Sequence, residues 1–181
     1  MNNFYIVTNV TKDKSLETTD YIEKYLTEHG RHVTVMVRGG IEKGMQEDKH
    51  LLQIPPETDC ILVLGGDGTL LRTARDTVGL GIPLLGINLG TLGFLADVNL
   101  ADLSKTLDLL LKDQYQVENR IMLTAEVYKQ GKKAATYIAL NDFNINRFGA
   151  SRVIGLKVGI NGAVIDRYRA DGVIVCTPTG S

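Results

Sequence analysis

Three glycines surround one carboxylate in residues 65–69, which read Gly-Gly-Asp-Gly-Thr. The apolar run before this segment and the helical spacing after it predict a junction between a buried strand and a helix. Glycine lets a backbone approach a ligand closely, and the amide groups of a helix N-terminus favour an anion such as phosphate. Asp67 would repel phosphate unless Mg²⁺ intervenes or its carboxylate takes a proton from a hydroxyl. The combination indicates phosphoryl transfer, whereas a tight turn with Asp67 as the helix cap is the purely structural alternative.

Two further groups of polar residues interrupt apolar or extended stretches. Asn141 and Asp142 lie within the stretch 137–145, where on their own they would indicate a surface bulge or turn. Arg169 and Asp171 precede an apolar run, and residues two apart share a face in an extended chain. They could therefore point together into a cleft, one toward phosphate and the other toward a hydroxyl or an amide. A solvated ion pair at a strand edge is the alternative for these two residues.

Two common nucleotide-binding fingerprints are absent from the sequence. After Gly66 and Gly68, the position of the third glycine in the dinucleotide-binding pattern holds Leu71. No Gly-Lys-Ser or Gly-Lys-Thr occurs, so the Walker phosphate-binding loop is absent as well. The three histidines fit no metal-binding or triad spacing, and no residue is assigned as a metal ligand. A kinase with this sequence would therefore belong to another lineage.

The composition is that of a globular protein that binds anions through a local site. The 181 residues are 44% hydrophobic and 23% charged, which excludes intrinsic disorder. The 20 basic and 21 acidic residues give a formal net charge of -1, so nucleic acid and membrane surfaces are not expected as partners. Because no apolar run is long enough to span a bilayer and the first residues lack a signal-peptide pattern, we expect a cytoplasmic protein. The two cysteines are expected to be reduced, buried thiols.

The elements that must position these residues alternate between strand and helix up to about residue 115. The stretch 38–58 has no stable periodicity and is predicted to be a long, mobile surface loop. Parallel strands joined by helices, with glycine-rich turns at the strand ends, predict an open α/β sheet whose ligand site lies at those turns. Strands are predicted at 4–8, 32–37, 61–64 and 84–87, and helices at 15–29, 70–78 and 100–112.

After residue 115 the spacing of hydrophobic residues changes from the 3.6-residue period of a helix to the two-residue period of a strand. Alternating residues predict one hairpin from 121–127 and 134–145, and a second from 154–160 and 163–169. Asn161 and Gly162, between the second pair, favour a type I′ turn. A last strand is predicted at 173–176. The chain is therefore predicted to hold an open α/β domain at 1–115 and an antiparallel all-β domain at 116–181.

Four motifs, in this order and with compatible separations, resemble the bacterial NAD kinase family. They are residues 65–69, residues 88–95 (Asn-Leu-Gly-Thr-Leu-Gly-Phe-Leu), the pair Asn141 and Asp142, and residues 171–181, which run from Asp-Gly to Thr-Pro-Thr-Gly-Ser. The first motif is shared with diacylglycerol and sphingosine kinases and loosely with phosphofructokinases, whereas the second and last are much more specific. The resemblance implies that ATP, with Mg²⁺ or another divalent cation, phosphorylates the adenosine-ribose 2′-hydroxyl of NAD to make NADP. It also implies a homo-oligomer, dimer or tetramer, with NAD and ATP as small-molecule partners.

The resemblance assigns roles to individual residues. Asp67 would be the general base on the 2′-hydroxyl, Gly68 would contact the dinucleotide, and Arg72 would lie near its phosphates. Asn141 and Asp142 match the family's Asn-Glu pair, which holds adenine and ribose, although Asp142 is one methylene shorter than the commoner glutamate. The remaining assignments are Phe94 and Leu95 to the adenine pocket, Arg152 and Arg169 to the nucleotide, and Asp171 to the nicotinamide end.

The sequence departs from the family pattern at its last motif. In the family this motif continues Thr-Ala-Tyr and is followed by further β structure, whereas the sequence ends at Ser181. We therefore expect a fragment in which the β domain and the substrate site are incomplete. The alternatives are a lipid or sugar kinase of the same superfamily and a non-catalytic nucleotide-binding fragment. The lack of a membrane-docking segment in the sequence argues against a lipid kinase. The sequence does not distinguish ATP from polyphosphate as the donor, or NAD from NADH as the acceptor.

Overall fold

The computed structural model describes residues 1–39, 53–90, 93–96, 98–149 and 153–181. Contacts among these residues form two compact units, Met1–Glu118 and Asn119–Ser181. The domain boundary at residue 115 stays a prediction. Most of the loop predicted at 38–58 lies outside the described residues, but Arg38 belongs to a strand rather than to that loop. Within the described ranges, no helix is both long and apolar enough to cross a membrane.

The first unit is built on a five-stranded parallel sheet with the spatial order β2-β1-β3-β4-β5. Its strands are β1 (Asn3–Asn9), β2 (His32–Arg38), β3 (Cys60–Gly65), β4 (Leu84–Asn88) and β5 (Val98–Asn99). Its helices are α1 (Glu17–Glu28), α2 (Asp67–Asp76) and α3 (Leu103–Leu111), and a short 3₁₀ turn at Leu100–Asp102 precedes α3. The parallel pairings confirm the predicted open α/β sheet. The helix predicted to start at residue 70 begins at Asp67, because glycine in its first turn weakens the helical pattern in the sequence.

Both faces of this sheet are covered, which explains the unbroken apolar runs of its central strands. On one face, fully buried side chains such as Ile6 and Leu62 pack with α1 and α3. On the other face, Val7 and Val63 pack with Leu70 of α2. Full burial of one such side chain stabilises the fold by about 1.5–3 kcal/mol. The two central strands therefore form a rigid base for the segments at their ends.

The strand order reverses between β1 and β3. The chain first places β2 outside β1 and then returns to place β3 on the other side of β1. Thr8 of β1 pairs with Leu64 of β3, so the carboxyl ends of the two strands lie side by side. Ligands of open α/β sheets bind beyond the carboxyl ends of the strands at such a reversal. Residues 65–69 lie at this edge, where the sequence predicts the ligand site.

The second unit consists of three antiparallel strand pairs. Asn161 and Gly162 have φ values of 51° and 82°, which confirms the type I′ turn predicted between 154–160 and 163–169. The pairs are β6 (Leu123–Lys129) with β7 (Lys132–Ala139), β9 (Ile154–Ile160) with β10 (Ala163–Ala170), and β8 (Asp142–Asn146) with β11 (Gly172–Cys176).

The prediction that residues 134–145 form one continuous extended stretch is wrong, because they belong to two strands. β7 ends at Ala139 and pairs with β6, whereas β8 starts at Asp142 and pairs with β11. Between them, the Thr177 hydroxyl donates to the carbonyl of Leu140 at 2.6 Å, and the Thr177 amide donates to the carbonyl of Asn141 at 2.8 Å. Thr177, which is distant in sequence, thus separates two strands in a stretch whose local sequence pattern predicts a single strand.

Candidate functional site

The junction between β3 and α2 leaves the start of the helix open. Gly66 is extended (φ -119°, ψ -173°) and precedes Asp67, and no side chain caps the first turn of α2. A Cβ on Gly65 would lie 2.5 Å from Oγ1 of Thr69, so the helix can turn back over the strand only if this residue is glycine. The uncapped amides and the positive end of the helix dipole together favour an anion.

A cavity of about 440 Å³ opens at this helix N-terminus. Its volume is within the range of small-molecule sites. Among the described residues that line it, the charged side chains are all cationic. Its lining residues lie at or after the carboxyl ends of β1, β2 and β3 and in α2, and they are Asn9, Thr11, Lys12, Arg38, Gly39, Gly66, Gly68, Thr69 and Arg72. The cavity therefore suits a ligand with several negative charges, at the strand-order reversal where open α/β folds bind ligands.

Hydrogen bonds hold the Lys12 segment against α2. The side chain of Asn9 accepts from the Thr11 amide at 3.0 Å and donates to the Thr69 hydroxyl at 3.4 Å. The buried carboxylate of Asp13 accepts from the amide of Thr19 at 2.9 Å and from its hydroxyl at 2.6 Å. The turn after β1 is thus connected to both α1 and α2, so Lys12 is carried by an ordered segment.

Arg38 is held by an ion pair with α2. Its guanidinium lies 2.6 Å from the carboxylate of Asp76, and the Arg38 side chain is only 16% exposed. Arg72 also lines the cavity and precedes Asp76 by one helical turn. Two arginines therefore border the same cavity, one from β2 and one from α2.

Asp67 does not cap its own helix, so the purely structural alternative for this residue is not observed. Its Oδ2 accepts a hydrogen bond from the Phe94 amide at 2.9 Å, and its Oδ1 accepts one from the Leu95 amide at 3.2 Å. The side chain of Phe94 is 99% exposed, whereas Leu95 packs against the core beneath α2. Of the predicted site residues of the first unit, Asp67, Phe94 and Leu95 are joined by these hydrogen bonds, whereas Gly68 and Arg72 line the cavity.

In the second unit, Asn141 has a buried Oδ1 without a hydrogen-bond partner, and Asp142 follows it as the first residue of β8. A buried acceptor left unsatisfied is costly, and a ligand donor would remove that cost. The partners of Asp142 and Arg169 on the neighbouring strands are Cys176 and Gly155.

That Arg169 and Asp171 point together into a cleft stays a prediction. Asp171 lies at the change from β10 to β11, strands of different sheets, and pairs with the guanidinium of Arg147 at 2.8 Å. The partner of Asp171 in this ion pair is therefore Arg147, and not Arg169 as in the alternative expected from the sequence. Arg152 lies outside the described residues.

Lys12 and Arg38 are the charged cavity residues that reasoning from the sequence misses. Lys12 is three residues after β1 and Arg38 is the last residue of β2. Basic residues at the carboxyl ends of two predicted parallel strands are a signal that could have found them.

Few of the described side chains near the site could bind a divalent cation. Among the described residues, no group of three or more His, Cys, Asp or Glu side chains could hold a metal. Mg²⁺ usually keeps several waters and binds one or two carboxylates together with substrate phosphates. One carboxylate, that of Asp67, at the start of a helix that borders a cation-lined cavity fits an ion that enters with phosphates, and does not fit a metal cage built by the protein alone.

The cysteine prediction is confirmed for one of the two thiols. Cys60 is buried in β3, and burial raises the pKa of its thiol to about 12, which makes it inert at neutral pH. Cys176 is also a free thiol but is exposed, since β11 has an uncovered face in this unit.

Comparisons with known proteins agree with this geometry. Residues 140–181 match the ATP-NAD kinase C-terminal domain. The chain is 42% identical to the NAD kinase of Lachnoclostridium phytofermentans over 183 residues, which cover 100% of the chain and 63% of that protein. It is 41% identical to the NAD kinase of Agathobacter rectalis, with 100% of the chain and 62% of that protein covered. The chain therefore spans less than two thirds of the length of these relatives.

The fold has a match among solved structures. Yeast NADH kinase complexed with NADH superposes with a TM-score of 0.71 at 21% identity, over 99% of this chain and 58% of the yeast chain. This likeness supports the α/β unit followed by antiparallel strands. Because the ATP-NAD kinase N-terminal domain matches residues 4–115, more than half of the sequence, the chain belongs to the ATP-NAD kinase family.

Proposed function

We propose that the chain is the larger part of an NAD kinase, which transfers a phosphoryl group from ATP to the adenosine-ribose 2′-hydroxyl of NAD and makes NADP. The observation that carries this proposal is a carboxylate, Asp67, at the uncapped start of a helix that borders a cation-lined cavity. A base beside an anion site is the arrangement that phosphoryl transfer to a hydroxyl requires. Cytoplasmic location and assembly into dimers or tetramers belong to the same proposal.

The cavity is proposed to hold the phosphates of the donor. Lys12, Arg38 and Arg72 surround it, and the amides of Gly66 and Gly68 are at its helical end. Cations that are already in place lower the barrier, because negative charge spreads over the transferred phosphoryl oxygens in the transition state. A divalent cation bound with the phosphates would neutralise further charge on them. Arg72 was assigned to the dinucleotide phosphates, and its place in this cavity supports a contact with phosphate of either substrate.

Asp67 is proposed to accept the proton of the 2′-hydroxyl. As the proton moves to the carboxylate, the hydroxyl oxygen forms a bond to the γ-phosphorus and the bond to the β,γ-bridging oxygen breaks, which releases ADP. Gly68 would let the dinucleotide approach the backbone, and Phe94 and Leu95 would contact adenine. The exposed ring of Phe94 supports this role, since an uncovered aromatic face can stack on a base.

The second unit is proposed to supply the other nucleotide contacts. Asn141 and Asp142 would hold adenine and ribose, and the unpartnered Oδ1 of Asn141 supports a ligand donor there. Arg152 and Arg169 are proposed to face the nucleotide, and Asp171 the nicotinamide end. The carboxylate of Asp171 would then have to bind both Arg147 and the ligand.

The test is NADP formation from NAD, ATP and Mg²⁺, followed with an NADP-specific dehydrogenase. Asp67→Asn should lower kcat by about 10²–10⁴-fold, as expected for loss of a general base. Asp20→Asn, an exposed carboxylate on α1, is the matched control and should leave the rate unchanged.

The same assay is made on this chain and on a protein extended downstream to the length of the relatives. Activity only in the extended protein would assign the missing contacts to the downstream part. No NADP from either protein would contradict the proposal. NAD binding that survives Asp67→Asn without any turnover would instead support the non-catalytic nucleotide-binding alternative.

A further inference from the structure

Asp67 makes two hydrogen bonds that a general base alone would not need. Each carboxylate oxygen accepts one backbone amide, Oδ2 from Phe94 at 2.9 Å and Oδ1 from Leu95 at 3.2 Å. Hydrogen bonds to an ionised acceptor are roughly twice as strong as neutral ones. The two donors are consecutive residues, so the carboxylate fixes both the position and the direction of this short segment.

Gly93, the residue before them, has no room for a side chain. A Cβ built on Gly93 would overlap the carboxylate of Asp67, and all three of its nearest atoms belong to that carboxyl group. By contrast, a Cβ on Gly90, three residues earlier, would lie 3.7 Å from Nζ of Lys12, which is an ordinary van der Waals distance. The lack of a side chain at 93 is therefore what allows the carboxylate to reach the two amides.

We propose that Asp67 is also a positioning residue, which holds residues 93–95 in place, and that Gly93 is required for this contact. For its catalytic consequence this inference rests on the proposed function. A carboxylate oxygen has two lone pairs, so each oxygen of Asp67 can keep its amide and still accept a hydroxyl. The residues proposed to contact adenine are then held at a set distance from the oxygen that takes the proton. A nucleotide seated on Phe94 and Leu95 would bring its own ribose hydroxyl to Asp67.

This inference changes what Asp67→Asn measures. An asparagine keeps one acceptor oxygen and places an NH₂ donor against the second backbone amide, so one hydrogen bond is lost and two donors face each other. The substitution therefore disturbs the adenine-contacting segment as well as removing a base. Gly93→Ala separates the two effects, because it leaves the carboxyl group present but pushes it away from the amides.

The direct test is amide hydrogen exchange at Phe94 and Leu95, measured by NMR on the free ¹⁵N-labelled protein. Asp67→Asn and Gly93→Ala should each accelerate exchange at these two amides by at least about tenfold, as expected for loss of a charged hydrogen bond. Gly90→Ala is the matched control and should match the wild type. Protection of the β1 and β3 amides from exchange reports whether each variant is folded. Exchange at Phe94 and Leu95 is compared only between variants whose β1 and β3 amides are equally protected. Unchanged exchange at 94 and 95 in folded Asp67→Asn would overturn the inference.

The kinetic test uses whichever protein forms NADP. Gly93→Ala should raise KM for NAD and lower kcat, whereas a structural role confined to stability would leave both parameters of the folded enzyme unchanged. The effects of Gly93→Ala and Asp67→Asn should be less than additive in the double variant, because both break the same contact. Fully additive effects would contradict the coupling. Since amide exchange needs no turnover, failure of the proposed function and failure of this inference are distinguishable.

Discussion

At the scale of single residues, the cations around the cavity differ in how they are held. Arg38 is largely buried and fixed by Asp76, while Lys12 carries a solvated ammonium on a flexible stem. A charge that is exposed contributes less than one that is buried and fixed, because water and salt screen it. We therefore expect Lys12 to make a modest, salt-sensitive contribution to donor affinity.

Replacement of Lys12 should weaken binding of the donor and not of the acceptor. Lys12→Met is expected to raise the Kd for ATP by about fivefold, since an exposed ion pair contributes at most about 1 kcal/mol. The effect should shrink at high salt. Isothermal titration with ATP and with NAD at two salt concentrations measures it, and Lys14→Met, an exposed lysine in the same segment, is the control. Equal losses for both nucleotides would mean that the cavity is not specific to the donor.

At the scale of elements, the junction of β3 and α2 depends on a close contact between Gly65 and Thr69. Gly65→Ala should lower the free energy of unfolding by about 1–3 kcal/mol, because its Cβ would lie 2.5 Å from Thr69 Oγ1 and the helix would have to move. Gly66→Ala is the control, since nothing lies within 4 Å of a Cβ there and φ is -119°. Urea unfolding of the two variants makes the comparison, and equal stability losses would argue against the steric explanation.

The start of β1 depends on a carboxylate next to β3. Asp59 accepts hydrogen bonds from the amides of Asn2 at 2.6 Å and Asn3 at 2.9 Å, and these bonds lower the pKa of Asp59. Because the folded pKa is below the unfolded one, the stabilisation is complete above the unfolded pKa and is lost as pH falls through the folded pKa. Asp59→Asn should cost about 1 kcal/mol at pH 7 and less in acid. Unfolding curves at neutral and acidic pH, with the exposed Glu57→Gln as control, measure this; a cost that does not depend on pH would refute it.

At the scale of the whole molecule, the second unit leaves apolar side chains uncovered. Ile160, Ile165 and Ile174 are each more than half exposed. They lie on β9, β10 and β11, strands that pair only two by two in the described part of the chain. Two-stranded sheets are marginally stable on their own, and exposed apolar faces of this kind are usually covered by further structure.

We expect the downstream part of the relatives to cover these strands. A protein extended to the length of the relatives should melt at a higher temperature and bind less of the dye ANS than the 181-residue chain. It should also protect the amides of β9 and β10 from exchange. The α/β unit serves as the internal control, since its core is already buried and its protection should change little. If ANS binding and protection were the same in both proteins, the exposed faces would have to serve another purpose.

The sequence by itself determined the class of both units and the segment that we propose to bind phosphate. Apolar runs buried on both faces, alternation with period two, and the Asn161 and Gly162 turn are local signals, and each predicted the element that forms. The four motifs likewise identified the family, because each is a contiguous run of residues. The break at Leu140 was missed because Thr177, which causes it, is far away along the chain.

Only the tertiary structure decided which distant residues meet. Lys12 and Arg38 come to the same cavity as Gly66, Gly68 and Thr69 because the strand order places β1 between β2 and β3. The bonds of Asp67 to Phe94 and Leu95 arise in the same way, since β4 pairs with β3 and brings the following segment beside α2. Local patterns specify how a chain bends and which face it buries, whereas pairing between strands specifies which strand ends become neighbours.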